Sequence, residues 1–297
     1  MNKSFYSSSV NSFKNMKNYF PIIIMLLLGC FSIKESEIII SPIDITGKKF
    51  SFVPLSDDHK KSRNFNRVWS NINNKRFYSY WRLLNKTYSI IGLYETWEHD
   101  YLIIENNKGK RFKMKFDKKS ELSTSIPSYI LFKETLADAQ SLIGKTIWLN
   151  DTWDEKGFFT ESEYSFPRFE PVKVIDIYPF QNRSNDYPIW LKIKSKFGDI
   201  AHVRYNGNEG RVGSQDHYYL SEPLPKAWGK DLIIKILDKK VELGMTGRQV
   251  RISIGNPDEI NYTSSRHGMS EQWIYFSINN SKKYYQFNYD ILTYINQ

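Results

Sequence analysis

Residues 101–116 read YLIIENNKGKRFKMKF, and residues 190–205 read WLKIKSKFGDIAHVRY. The two stretches align without a gap, and Gly109 falls on Gly198. After each glycine, inward apolar residues alternate with outward, mostly basic ones, as in a half-buried strand with a period of two. A glycine at this position supplies the positive φ that a short hairpin turn requires. The sequence therefore predicts the same β-hairpin twice.

The repeat extends upstream of both hairpins. Residues 90–94 (IIGLY) match residues 174–178 (VIDIY), and residues 47–50 (GKKF) match residues 144–147 (GKTI). We therefore expect a mostly β fold with α+β character, containing two related small β-modules at 42–117 and 144–221. Their size and the order of their hairpin-joined strands resemble bacterial SH3-like barrels. An unrelated β-meander is the alternative.

A helix is predicted between the two modules. Phe132, Leu136, Ala139 and Ile143 recur at steps of four and three, so they can line one face of a helix. Gly144 then suits the end of that helix. We interpret residues 118–143 as a linker helix.

The last part of the chain has the pattern of a separate α+β domain. Residues 222–230 form a proline-rich linker, and residues 231–237 (DLIIKIL) form a short apolar helix. Thr246 and Gln249 have the spacing of a capping box for a second helix, which Gly255 and Pro257 end. Three aromatic strands then follow, near Glu259–Thr263, Gln272–Ile278 and Tyr284–Tyr289, before a last short run at Leu292–Ile295.

This terminal segment, residues 231–297, resembles the SmpA/OmlA (BamE-like) domain. The resemblance rests on a set of residues in a fixed order, which are Gly244, Met245, Thr246, Gln249, Val250, Gly255, Pro257, residues 271–275 (EQWIY, with Trp273 and Tyr275) and residues 285–287 (YQF). It implies two helices packed on a three-stranded antiparallel sheet, and a role in supporting the machinery that inserts outer-membrane β-barrels. The family's best-known members lack the long segment that precedes the domain here, so the fold transfers better than the role. We expect Trp273 and Tyr275 to be core residues.

The amino terminus has the pattern of a secretion signal. Lys14 and Lys17 precede the apolar run PIIIMLLLG at 21–29, which is too short for a transmembrane helix. The run ends in a sequence that resembles the bacterial lipobox. The resemblance implies cleavage between Gly29 and Cys30 and diacylglycerol on the thiol of Cys30. Residues 1–29 are then the signal peptide and residues 30–41 a tether, and translation could start at Met16.

No aspartate follows Cys30, which by the enteric rule favours the outer membrane, and we expect the periplasmic face rather than the cell surface. Cys30 is the only cysteine, so a disulfide framework is excluded. The chain carries 42 basic and 32 acidic residues, and we read these charges as spread over a solvated surface. Attraction to anionic lipid or wall polymer is the alternative. No nucleic-acid motif is present, so nucleic acid is not an expected partner.

No catalytic or metal-ligating constellation stands out, and we expect neither an enzyme nor a cofactor. None of the five histidines has metal-ligand spacing; they are His59, His99, His202, His217 and His267. We interpret Asp57–His59 and Asp216–His217 as loop surface. The glycine-rich stretch 207–213 lacks a phosphate-loop Lys-Ser/Thr pair and is also interpreted as a loop.

These patterns together favour a lipid-anchored, non-enzymatic binding or assembly adaptor with an envelope protein as partner. The alternative is a lipoprotein that binds peptidoglycan or another glycan by aromatic stacking. Its candidate stacking side chains are Trp69, Trp81, Trp97, Trp148, Trp153 and Trp190. Their clustering in one exposed groove would favour the glycan alternative.

Overall fold

The computed structural model describes residues 35–63, 65–116, 126–150, 157–182, 186–207, 212–265, 268–277, 279 and 281–296. Over these residues the protein is mostly β, with three antiparallel sheets of six, six and four strands and a few short helices. The predicted signal, including Gly29 and Cys30, lies outside the described residues, as do Trp153 and His267.

The first sheet has the strand order β2-β5-β4-β3-β1-β6. Its strands are β1 (Lys49–Phe52), β2 (Ser70–Asn71), β3 (Thr87–Glu95), β4 (Asp100–Asn106), β5 (Arg111–Phe116) and β6 (Ile130–Phe132). A five-residue helix, α1 (Asp57–Lys61), lies in the long connection between β1 and β3. We call the part of the chain that forms this sheet the first β-unit.

The second sheet has the order β12-β7-β9-β10-β11-β8 and forms the second β-unit. Its strands are β7 (Thr146–Leu149), β8 (Phe158–Thr160), β9 (Pro171–Pro179), β10 (Ile189–Lys194), β11 (Ile200–Arg204) and β12 (Tyr218–Tyr219). When the strands of each sheet are numbered one to six along the chain, and the second sheet is read from its β8 edge, both sheets have the order 2-5-4-3-1-6. The two units therefore share one topology.

Hydrogen bonds at matched positions show that the repeat is structural. The amide of Gly47 donates to the carbonyl of Ile90 at 2.8 Å, and the amide of Gly144 donates to the carbonyl of Val174 at the same distance. Gly109 and Gly198 have φ of 72° and 103° in the two predicted hairpin turns. The repeated hairpin is confirmed.

Both units also carry a β-bulge at the same place. In β3, Ile91 is the extra residue, since Ile90 pairs with Ile104 and Gly92 with Ile103. In β9, Ile175 is the extra residue, since Val174 pairs with Ile193 and Asp176 with Lys192. Ile91 and Ile175 are matched positions of the repeat. A bulge bends its strand and increases its twist, so its retention in both units fixes the same sheet curvature twice.

The predicted linker helix 118–143 is wrong in its extent. Residues Ile130–Phe132 form β6, which pairs with β1, and only Lys133–Gln140 are helical, as α2. Residues 117–125 lie outside the described residues. Strand β1 has an open edge that β6 closes, and this tertiary pairing outweighs the helical spacing of Phe132. Ile143 is exposed, contrary to the predicted helix face.

The two β-units share one apolar core rather than forming separate modules. A single cluster of buried side chains runs from Phe50 and Tyr88 in the first sheet to Val174 and Leu191 in the second. Helix α2 contacts β1 on one side and β9 and β10 on the other. Ala139 of this helix is fully buried within the cluster. The boundary predicted at residue 144 therefore divides a continuous core.

The end of the predicted tether is part of the fold. Ile38 is buried against Ile72 and Ile103 on the outer face of the first sheet. Ser41 exchanges two backbone hydrogen bonds with Leu93, both 2.8 Å long. The described chain is thus docked on this sheet face from its first residues onward.

The C-terminal domain has two helices and a four-stranded antiparallel sheet. The helices are α3 (Lys230–Leu237) and α4 (Gly247–Ile254), and the strands are β13 (Glu259–Ser265), β14 (Gly268–Phe276), β15 (Lys282–Asn288) and β16 (Ile291–Asn296). They form a simple meander in chain order. The expected three-stranded sheet is wrong by one strand, because the last short apolar run pairs fully with β15.

The residues that carried the family resemblance converge at the start of α4 and the sheet behind it. Gln249 donates its amide to Thr246 Oγ1 at 3.3 Å, and its Oε1 accepts from the Thr246 amide at 2.8 Å, so the predicted capping box is confirmed. Gly255 ends the helix with a φ of 94°. Met245 and Trp273 are buried together, as expected for core residues.

Backbone hydrogen bonds involve three further residues of the resemblance, which are Gly244, Pro257 and Tyr275. The Gly244 amide donates to Leu292 O at 2.8 Å, and the hydroxyl of half-buried Tyr275 donates to Gly255 O at 2.9 Å. Pro257 O accepts from the amide of Gly213 at 2.7 Å, which joins the domain to the second β-unit.

Removing the Thr246 hydroxyl tests the capping box. Thr246→Ala should lower the free energy of unfolding of this domain by about 1 kcal/mol, because one amide of the first helical turn loses its acceptor. Urea denaturation followed by tryptophan fluorescence measures the change. Thr246→Ser keeps the oxygen and should lose less than the alanine variant; equal losses in both would argue against the cap.

The segment 222–230 is packed rather than a free linker. Leu224 and Trp228 contact a cluster that joins Phe169 of the second β-unit to Ile236 and Ile252 of the terminal helices. Arg168 reinforces this junction, since its guanidinium donates to the Ile252 carbonyl at 2.5 Å. The C-terminal domain is therefore fixed to the second β-unit.

Candidate binding site

One cleft lies at the junction of the second β-unit and the C-terminal domain. Its volume is about 600 Å³. Charged and polar side chains dominate its walls, among them Asn206, Asp216, Arg248, Arg251, Asn256, Glu271 and Asp290. Trp273 forms part of the apolar wall.

The polar groups of this junction cleft are largely engaged with each other. Arg251 donates to Asn256 Oδ1 at 2.8 Å, and its guanidinium carbon lies 4.5 Å from the Trp273 ring centre. The Trp273 indole donates to Glu271 Oε2 at 2.7 Å. Asp290 Oδ1 accepts from the Gly247 amide at 3.1 Å, at the start of α4. These contacts hold the domain together.

Another cleft, which we call the basic cleft, lies on the first β-unit. It has a volume of about 400 Å³ and is formed by the β1–β3 connection and the end of the β4–β5 hairpin. Its walls are aromatic, aliphatic and basic; they comprise Tyr78, Trp81, Arg82, Leu83, Leu84, Lys86, Asn106, Lys110 and Phe112. A 3₁₀ turn at Tyr80–Arg82 positions Trp81, which is 66% exposed.

Two cations of the basic cleft, Arg82 and Lys110, contact aromatic rings, and the third, Lys86, donates through Nζ to the Arg82 carbonyl at 2.5 Å. The Arg82 guanidinium carbon lies 5.0 Å from the Trp81 ring centre. Lys110 Nζ donates to Tyr78 Oη at 2.9 Å and lies 4.9 Å from that ring centre. Within the described ranges, no carboxylate forms a salt bridge with Arg82, Lys86 or Lys110. These cations can therefore accept an anionic partner.

The sequence around the cleft concentrates positive charge. Residues 59–94 contain eight bases and no acid, and the bases are Lys60, Lys61, Arg63, Arg67, Lys75, Arg76, Arg82 and Lys86. The β7–β9 connection of the second β-unit, residues 150–170, contains six acids and two bases, whereas the β1–β3 connection, residues 53–86, contains the same eight bases and two acids. The even charge distribution expected above is therefore wrong, and the two units have opposite polarity in this connection.

Like charges also crowd the neighbouring strand. Burial lowers the pKa of Lys113 on β5, and the positive charge of nearby Lys75 lowers it further. Lys113 Nζ lies 5.2 Å from the Tyr101 ring centre, so this cation too rests on an aromatic face. The basic character thus continues from the cleft onto the outer face of the sheet.

The candidate stacking tryptophans do not cluster in the described part of the chain. Trp69 and Trp190 are buried, and Trp148 is half-buried. Trp81 lies in the basic cleft, whereas the fully exposed Trp97 lies in the β3–β4 turn, at the opposite end of β4.

The predicted basic outer face of β11 is wrong for the second unit. Arg204 is fully buried, its guanidinium lies 4.2 Å from the Trp190 ring centre, and it donates to Tyr187 O at 3.0 Å. Its Nε lies 3.9 Å from Asp186 Oδ2. Loop residues that have no counterpart in the repeat pattern cover this face, so the matched positions Lys115 and Arg204 differ in environment.

The histidines have structural surroundings. His217 is buried, not on the loop surface that was predicted, and a Cβ on Gly157 would come within 2.2 Å of its ring. Asp57–His59 belong to α1 rather than to a loop, and His59 Nδ1 lies 2.7 Å from Ser56 Oγ. In the part of the chain that the structure describes, no three metal-ligating side chains come together.

Buried His202 makes stability depend on pH. Its ring stacks on Phe159 at 4.5 Å, and burial lowers its pKa, an effect that Glu161 opposes and Lys192 adds to. Protonation therefore favours the unfolded chain. Its contribution is fully present above the ordinary histidine pKa of about 6.5 and is lost as the pH falls below it. Urea unfolding between pH 7.5 and 5 should show a larger loss for the wild type than for His202→Gln; equal slopes would contradict this.

No protein-family model matches the chain, and neither a curated protein nor a solved structure shows a significant match to it. No described helix is long and apolar enough to cross a membrane. The basic cleft, which combines exposed cations with the exposed ring of Trp81, is the candidate site.

Proposed function

We propose that this protein is an outer-membrane lipoprotein that is anchored through Cys30 and acts as a non-enzymatic binding or assembly adaptor. The described chain is one packed body in which the C-terminal domain is fixed to the second β-unit. Such a body presents several surfaces in a fixed relative orientation, which suits an adaptor better than a flexible chain of modules.

We propose further that the two β-units are SH3-like. The support is their small size, the meander β3–β4–β5 beside β1, and the return of the short strand β6 to the free edge of β1. The second unit repeats each of these pairings.

The observation that carries the adaptor proposal is the geometry of the C-terminal motif. The support is that the capping box, the Gly255 helix end and buried Trp273, on which the resemblance to the SmpA/OmlA (BamE-like) domain rests, belong to one packed domain. The fourth strand departs from the three-stranded sheet of that family. An envelope protein, such as a component of outer-membrane assembly, is the partner class that this resemblance supports.

The alternative is a protein that binds peptidoglycan or another glycan. One observation favours it. Trp81 exposes its ring next to cations that form no salt bridge with a described carboxylate. The other described tryptophans do not extend this surface, and stacking along a polymer normally uses more than one ring.

Affinity purification of the lipidated protein from mildly solubilised membranes tests the adaptor proposal. We expect recovery of an outer-membrane protein in stoichiometric amount, and equal recovery with Trp81→Ala. Sedimentation with purified peptidoglycan that is lost in Trp81→Ala, without any outer-membrane partner, would overturn the adaptor and support the glycan alternative.

Cys30→Ser tests the anchor separately. The variant should fold but no longer partition into the detergent phase, because the thiol that receives the lipid is gone. Wild-type and variant proteins are compared by phase separation and intact mass. Unchanged partitioning would show that another anchor exists.

A further inference from the structure

The docked segment that begins at Glu35 enters the fold at the same end of the first sheet as the basic cleft. Glu35 Oε1 lies 3.8 Å from Arg111 Nε. Arg111 is the first residue of β5, directly after the turn that carries Lys108 and Lys110. From there the segment runs across the sheet to Ser41, which pairs with Leu93 nearer the opposite end.

The distance from the predicted anchor to this end is short. Four residues separate Cys30 from Glu35. Five Cα–Cα steps span at most about 19 Å. If Cys30 carries lipid, the Cα of Glu35 is therefore held within this distance of the lipid-bearing residue, and the Arg111 end of the first β-unit lies beside Glu35.

The surface at this end has the composition of a membrane interface. Arg82, Lys86, Lys108 and Lys110 are exposed there, and Trp81 stands beside them. Indole rings favour the headgroup level of a bilayer, and clustered Lys and Arg are attracted to anionic headgroups. Each basic residue near such a surface strengthens association by about fivefold.

We propose that the basic cleft docks on the anionic leaflet that holds the anchor, with Trp81 at headgroup depth and Arg82, Lys86 and Lys110 against lipid phosphates. The proposal rests on the anchor at Cys30 and adds a fixed orientation to it.

The chain is well suited to a direct test, because Cys30 is its only cysteine. Lipidation consumes that thiol, so a cysteine introduced elsewhere is the only one that a fluorophore can label. Trp81→Cys reports on the basic cleft. Trp97→Cys is the matched control, since Trp97 is an exposed tryptophan of the same β-unit in a turn flanked by Glu95 and Glu98.

Both lipidated full-length variants are labelled and placed on phosphatidylcholine vesicles with or without phosphatidylglycerol, with a nitroxide quencher on the lipid. We expect severalfold stronger quenching at residue 81 than at residue 97 on anionic vesicles. The difference should vanish in high salt, on neutral vesicles, and in Trp81→Cys combined with Arg82→Glu, Lys86→Glu and Lys110→Glu. Equal quenching at both positions, or equal quenching at residue 81 on neutral and anionic vesicles, would overturn the proposal.

Failure of the anchor is visible separately. In that case wild-type Cys30 takes up the label and the protein does not float with neutral vesicles. Vesicle flotation of the unlipidated protein then tests whether the basic cleft binds an anionic membrane. Flotation with anionic vesicles only, reversed by salt and by the three glutamate substitutions, supports it, and absence of flotation overturns it.

Discussion

Replacing Arg204 with alanine should lower the free energy of unfolding of the β-units by about 3 kcal/mol, the largest effect that we expect from a single charged residue. The side chain is fully buried, contacts the Trp190 ring and donates to Tyr187 O. Its removal opens a cavity and abolishes the hydrogen bonds that the guanidinium donates to Gln181 Oε1, Tyr187 O and Asn182 Oδ1. Urea denaturation at neutral pH measures the loss.

Two variants separate the causes. Lys115→Ala alters the matched residue of the first β-unit, which is exposed, and should change the free energy of unfolding by less than about 0.5 kcal/mol. Arg204→Met restores volume without charge, so a loss that persists in this variant is electrostatic. Equal stability of Arg204→Ala and the wild type would contradict the buried role of the guanidinium.

Trp273→Ala should lower the free energy of unfolding of the C-terminal domain by about 3–5 kcal/mol. The ring is buried 4.2 Å from Phe287, lies under the Arg251 guanidinium and donates its N–H to Glu271. Loss of the ring removes all these contacts at once. Hydrogen exchange of α4 amides, together with the melting temperature, measures the change.

Trp97→Ala is the control for this substitution, because Trp97 is fully exposed and should contribute little to stability. A Trp273→Ala protein that unfolds like the control would contradict the core role and would favour a ligand-binding role for the indole in the junction cleft.

The repeated hairpins were predictable from the sequence because they are local. Apolar and polar residues alternate within β5 and β11, and each turn contains a glycine. These local signals specify pairings between residues a few positions apart. The capping box was predictable for the same reason, since its two residues are one helical turn apart.

The short strands were not predictable, because two or three residues carry no measurable period. Strand β6 forms only because it completes the edge of β1, where Phe132 lies opposite Phe50. That pairing joins residues far apart in the chain. Helical spacing was the only local signal at Phe132, and it gave the wrong element.

The basic cleft was missed although part of its signal was present. The acid-free stretch 59–94 is visible in the sequence, but the net charge of the whole chain concealed it. The contact between Tyr78 and Lys110 was not visible, because it depends on how the β1–β3 connection folds back onto the β4–β5 turn.

The common core of the two β-units delays folding during protein synthesis. Protein synthesis completes helix α2 at Gln140, whereas β10 ends at Lys194. About 54 residues lie between these points, and at usual rates of synthesis they take roughly 3–11 seconds to make. During this interval the apolar surface that β9 and β10 later cover has no native partner. We therefore expect the nascent chain to depend on a chaperone or an export factor that keeps it extended until the second unit is complete.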